Sequence, residues 1–79
     1  MKVRNLETPA LVIDRQEMEK NLQRMNGLLE GTCLKLRPHY KTHKSPVIAR
    51  MQLENGACGI TCSKLSEAED LANAGIEDI

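Results

Sequence analysis

Tryptophan and phenylalanine are absent from this 79-residue chain, and Tyr40 is its single tyrosine. A core must therefore be assembled from Leu, Ile, Val, Met and Ala, with few large anchors. At this length the apolar area open to one small domain is thin. A long hydrophobic run is also missing. The N-terminal run Pro9–Ile13 has five residues, too short for a membrane span or a secretory h-region. The cysteines, Cys33, Cys58 and Cys62, are odd in number, and without a secretory segment they read as reduced thiols in a cytoplasmic protein. Glycine-rich loops of the P-loop or dinucleotide type are lacking as well.

Acidic residues are missing from one region in particular. The formal net charge is zero, which excludes a bulk attraction to nucleic acid or membrane. Yet residues 31–53 carry Lys35, Arg37, Lys41, Lys44 and Arg50 without an acid, while residues 54–79 carry Lys64 against Glu54, Glu67, Glu69, Asp70, Glu77 and Asp78. Charge is segregated, and the middle of the chain is a local anion-attracting patch.

What is present alternates. "TPALVID" (Thr8–Asp14) is an apolar run after a proline and predicts a buried strand. Asp14 with Glu17 forms a capping pair, and a helix should follow from about Arg15 to Leu29, with Met18, Leu22, Met25 and Leu29 on one face and Gly31 as its stop. In "CLKLRPHYK", Leu34, Leu36, Pro38 and Tyr40 alternate with Lys35, Arg37, His39 and Lys41. This period of two predicts a strand ending near Lys41, one face apolar and the other cationic; Pro38 places it at an edge or end. Ser45-Pro46 reads as an N-cap with proline at the first helical position, Val47, Ile48 and Met51 as a buried stripe, and Gly56 as the stop. "ACGITCS" (Ala57–Ser63) predicts another strand, with Cys58 and Cys62 on one side. Ser66–Gly75 predicts a helix with a Ser66–Glu69 capping box, and "IEDI" the start of one more strand. Strand and helix alternating at this spacing predict an α/β fold built from parallel units. Two or three parallel strands leave faces and edges uncovered, so residues 1–79 are expected to be the first units of a larger barrel or sheet, prone to self-association.

The segment Arg37–Lys44 concentrates Arg37, His39, Lys41, His43 and Lys44. Lys41 falls at the predicted C-terminal end of a parallel strand, the rim where β/α barrels place chemistry. Like charges beside it and burial would both disfavour its ammonium form, and a neutral amine is what an aldehyde needs to form an imine. A solvated basic loop stays open beside this reading. A zinc site is disfavoured, because the His39/His43 pair shares a face only in a helix, which Pro38 opposes, and Cys58-x3-Cys62 is not knuckle spacing. Nucleic-acid binding is disfavoured too, since only Tyr40 could stack a base.

The stretch from "RPHYKTHKSPVIARMQLENG" to "IEDI", with "TPALVID" and its helix before it, closely resembles the N-terminal part of fold-type III pyridoxal-phosphate enzymes. Within these it resembles the D-threonine aldolase and D-serine dehydratase group, relatives of alanine racemase; "KTHK" favours that branch. The resemblance implies a (β/α)8 barrel with a C-terminal β domain, to which residues 1–14 would be expected to pair. It implies Lys41 as the lysine that forms the internal aldimine with pyridoxal 5'-phosphate, with His39 pointing into the barrel mouth on the same side and shaping the pocket near the cofactor ring. Lys44 also follows a histidine but lies past the strand end. It further implies a lyase acting on small β-hydroxy D-amino acids. A divalent metal would sit at the β-hydroxyl, its ligands in a C-terminal portion, so no residue here is assigned to a metal. Lys41 alone would equally suit an amino-acid racemase of the same fold, and a non-catalytic anion-binding module is the reading from another class. A full barrel takes about 250 residues, so the 79-residue chain by itself is expected to be inactive and marginally folded.

Overall fold

The computed structural model describes residues 2–79. Met1, the first residue of the expected pairing segment 1–14, lies outside them. Among the described residues three α-helices form: α1 (Arg15–Gly27), α2 (Pro46–Glu54) and α3 (Leu65–Asn73). Single 3-10 turns occupy Val3–Asn5 and Tyr40–Thr42.

Each helix starts where side-chain chemistry satisfies its first free N–H groups. Asp14 accepts from the Glu17 N–H at 3.1 Å and opens α1. Exposed pairs, Arg15 with Glu19 at 3.0 Å and Lys20 with Glu17 at 3.6 Å, line its surface and contribute roughly a few tenths of a kcal/mol each. Ser45 Oγ accepts from the Ile48 N–H at 3.3 Å, with Pro46 as the first residue of α2. The third start differs from the expected Ser66–Glu69 box. Lys64 is the N-cap of α3, and Glu67 Oε1 reaches back to accept from the N–H groups of Ser63 (3.0 Å) and Lys64 (3.1 Å) and from the Ser63 hydroxyl (3.2 Å). The donors needing a partner stand at residues 63 and 64, out of reach of a box set two residues later. Two of the three stops follow expectation: Gly56 and Gly75 take positive φ of 106° and 84° past α2 and α3, a conformation that glycine reaches without steric cost. The first does not, because α1 ends at Gly27, short of the expected Leu29, and Gly31 falls in the turn beyond it.

The buried hydrophobic core is Tyr40, Ala49, Ile60, Leu71 and Ile76, with Leu53 and Cys62 packed against it. The helical faces read from the sequence are rotated relative to this core. α2 presents Ala49 and Leu53, while Val47 is 71% exposed. α1 contributes no buried residue; Met18, Leu22 and Leu29 are half-buried and Met25 is exposed.

The four expected strands are much reduced. Among the described residues the extended segments meet at one parallel bridge, His39 with Thr61. Four backbone bonds trace the sheet that surrounds it. The Tyr40 N–H donates to Thr61 O (2.8 Å), Thr61 N–H to Pro38 O (2.8 Å), Cys58 N–H to Leu36 O (2.9 Å) and Ile60 N–H to Asp78 O (2.9 Å). Segments 36–40, 58–61 and 76–78 thus run side by side, the middle one between the other two, with helices in the connections. Pro38 has no N–H to give, so the ladder is broken where a continuous strand would need it. The spacing slips as well: Leu36 and Pro38 oxygens are two residues apart, but their donors, Cys58 and Thr61, are three apart. That extra residue is a bulge. It overturns the expectation that Cys58 and Cys62 share a face, because Cys62 packs on the core while Cys58 lies close enough to Arg37 to influence its ionisation. "TPALVID" pairs with no described segment, and Leu11, Val12 and Ile13 are 94%, 55% and 50% exposed.

Candidate active site

The alternation along segment 36–40 sets two faces. Tyr40, with Ile60 and Ile76 from the neighbouring segments, enters the core beneath α2 and α3. Arg37 leaves from the opposite face and crosses the middle segment. Its Nη2 donates to Asp78 Oδ1 at 2.8 Å, and its Nη1 to Ile60 O at 3.4 Å. Gly59 makes the crossing feasible, because a Cβ there would collide with the Arg37 guanidinium and would stand 2.7 Å from Asp78 O. The Asp78 hydrogen bond, opposed by burial, raises the Arg37 pKa above its ordinary value. One of the five groups in the cationic segment is therefore a cation balanced by a carboxylate, and it ties the first extended segment to the third.

Lys41 lies in the Tyr40–Thr42 turn, two residues past the bridge at His39. It sits at the exit of the parallel-bonded segment, the position predicted for it. The burial expected for it is not found: Lys41 is exposed, and it makes no ion pair among the described residues. His39 contacts the same turn. Its Nδ1 accepts the Lys41 backbone N–H at 3.0 Å, so the ring is folded onto the turn. His39 also lines a cavity of about 290 Å³ with Leu22, Met25, Leu36 and Pro38. His43 accepts from the Ser45 N–H at Nδ1 (3.0 Å) and meets Gln52 Oε1 through Nε2 (3.2 Å). Lys44 adopts φ 51°, the one non-glycine positive φ among the described residues, while its N–H donates to Tyr40 O at 2.9 Å. Left-handed backbone at a lysine costs energy and persists only where its surroundings hold it.

Two groups near the turn were not anticipated. Glu67 is 4% exposed, and the Ser63 N–H first, then the Lys64 N–H, the Ser63 hydroxyl and the charge of Lys44 hold its carboxyl below the usual glutamate range against burial. Its Oε2, like the Tyr40 hydroxyl, is buried without a hydrogen-bond partner among the described residues. Burial first, then Asp70 and Glu67, raise the Tyr40 pKa, so the phenol stays protonated. Tyr40 was legible only as a member of an apolar face; Glu67 gave no signal distinct from the other acids of α3. Among the described residues no group of three or more His, Cys, Asp or Glu side chains is arranged to hold a metal ion. Among the described residues no helix is long and apolar enough to cross a membrane.

Comparison with known proteins places these features in a family. Residues 13–79 match the family described as "Alanine racemase, N-terminal domain". The chain is 47% identical over 74 residues to a D-threo-3-hydroxyaspartate dehydratase of a Delftia species, and 47% identical over 74 residues to a D-threonine aldolase of an Arthrobacter species. Each alignment covers 94% of this chain and 20% of the relative. The crystal structure of D-threonine aldolase from Filomicrobium marinum superposes with a TM-score of 0.88 at 44% identity, covering 94% of this chain and 20% of that one. The chain thus spans about a fifth of the length of the curated relatives that it matches.

Proposed function

Since the chain belongs to the alanine racemase N-terminal domain family, we propose that it supplies the lysine-bearing part of a pyridoxal-phosphate-dependent lyase acting on β-hydroxy D-amino acids. The observation that carries this reading is the placement of Lys41, exposed and unpaired in a one-turn helix directly after the bridged segment, within R-P-H-x-K-T-H-K. Support for the substrate class comes from the relatives, a D-threo-3-hydroxyaspartate dehydratase and D-threonine aldolases. Segments 36–40, 58–61 and 76–78 would be the first strands of a (β/α)8 barrel, with Lys41 on the rim at their C-terminal ends. The exposed run Leu11–Ile13 would be the part that pairs with a second domain.

The residues present fit the cofactor at one point. An aldehyde requires a primary amine that reaches solvent and is not held by a carboxylate, and Lys41 meets both conditions. Pyridoxal phosphate, when bound, supplies an electron sink for bond breaking at the substrate's α-carbon. This chain holds the amine in place. The turn fixes its backbone, the Arg37–Asp78 pair fixes the segment before it, and Ser45 and Pro46 anchor α2 directly after it. Among the described residues no donor set fits a divalent metal, so none of them is assigned to one.

Mapping the amine tests the reading. The chain is incubated with pyridoxal phosphate, reduced with borohydride, digested and sequenced by mass spectrometry. The expected result is one dominant adduct on Lys41 that disappears in Lys41→Ala. An adduct centred on Lys44, or spread evenly over the lysines, would overturn the assignment.

A further inference from the structure

Both histidines that flank Lys41 make the same unusual bond. His39 Nδ1 accepts the backbone N–H of Lys41 at 3.0 Å, and His43 Nδ1 accepts the backbone N–H of Ser45 at 3.0 Å. In each case the donor is two residues further on. This is the geometry by which Asn and Asp side chains close a local turn, here performed by an imidazole. A backbone amide can only donate, so neither Nδ1 carries a proton, and each ring must hold its proton on Nε2. For His43 the second nitrogen agrees: Nε2–H donates to Gln52 Oε1 at 3.2 Å, and the ring stands edge-on to Tyr40 at 5.5 Å.

We propose that His39 and His43 are positioning residues for Lys41, each clamping one end of its loop as an Nε2–H imidazole whose Nδ1 holds the N–H two residues on. His39 caps the Tyr40–Thr42 turn at its start. His43 closes the chain onto Ser45, which in turn caps α2. Inside the second clamp, between His43 and Ser45, Lys44 is held at φ 51°. The two imidazoles therefore lend the lysine rigidity through their unprotonated nitrogens. The role deepens the reading of Lys41 as the amine that meets the aldehyde, and rests on it for its purpose, although the clamp itself can be measured without any cofactor.

Three measurements on the 79-residue chain decide the matter. Long-range nitrogen–proton correlation spectra should show both rings in the Nε2–H form. Amide exchange at Lys41 should quicken about fivefold or more in His39→Leu, which loses one hydrogen bond. It should return to within about twofold of the unaltered chain in His39→Asn, whose carboxamide oxygen can accept the same N–H. The rate of reducible adduct formation at Lys41 with pyridoxal phosphate should follow the same order. An Nδ1–H ring at His39, or a His39→Asn variant exchanging as fast as His39→Leu, overturns the clamp whatever the adduct map shows. An adduct on another lysine, with the ring forms and exchange rates as expected, overturns the Lys41 reading instead and leaves the clamp in place without that purpose.

Discussion

Residues 2–30 and residues 36–79 hold their shape by different means. In the first region α1 is a well-capped helix with no buried residue, and the apolar run before it faces solvent. Its order comes from the Asp14 cap and from side-chain pairs three and four residues apart. In the second region α2 and α3 bury Ala49 and Leu71 against Tyr40, Ile60 and Ile76. The difference shows that helix formation and fold formation are separable here. Local chemistry suffices to write a helix, but burial decides which helices belong to a core, and Lys41 stands directly after Tyr40, a member of that core.

Three substitutions would break or sharpen that contrast. Leu71→Ala should have the largest effect, about 2–5 kcal/mol for an emptied core position. Urea unfolding followed at the Ile60 amide should show it, with the α1 amides little changed. Gly59→Ala should come next, at about 1–3 kcal/mol. The Arg37 tip can move away from the new methyl, but Asp78 O, 2.7 Å from it, belongs to the backbone. The variant should detach segment 76–78 first, seen as faster exchange of the Ile60 N–H. Asp14→Ala should be smallest, about 1 kcal/mol for a lost helix cap. It should fray the first turn of α1 in amide exchange and leave the midpoint of the second region unaltered. If Asp14→Ala shifted that midpoint as far as Leu71→Ala, the two regions would form one cooperative unit and the distinction would be wrong.

The helices were legible because their signals are local. Asp14 with Glu17 and Ser45 with Pro46 mark the starts of α1 and α2, and Gly56 and Gly75 mark two ends, all within a few residues of the feature they specify. The strands were only half legible. A period of two names the faces of a segment, and it correctly sent Tyr40 and Arg37 to opposite sides. It says nothing about a partner. "TPALVID" has the composition of a strand and no described neighbour, and segment 36–40 has neighbours but a proline where the ladder needs a donor. At the site, the position of Lys41 at a segment exit followed from pattern and resemblance together. The imidazole clamps did not, because a ring nitrogen that accepts from the main chain leaves no trace in charge or hydropathy. The segment that looked like five clustered cations is in the structure one ion pair, two hydrogen-bonding rings and two lysines.

The Arg37–Asp78 pair joins residues 41 positions apart. A contact of such long reach must wait until both intervening helix-and-segment units have condensed, since the entropy of bringing distant chain together falls due before the bond forms. It should therefore be among the last native links to appear during refolding, so that removing it would hasten unraveling far more than it would slow assembly. The guanidinium works as a latch, engaged only once the pieces it spans are already in order.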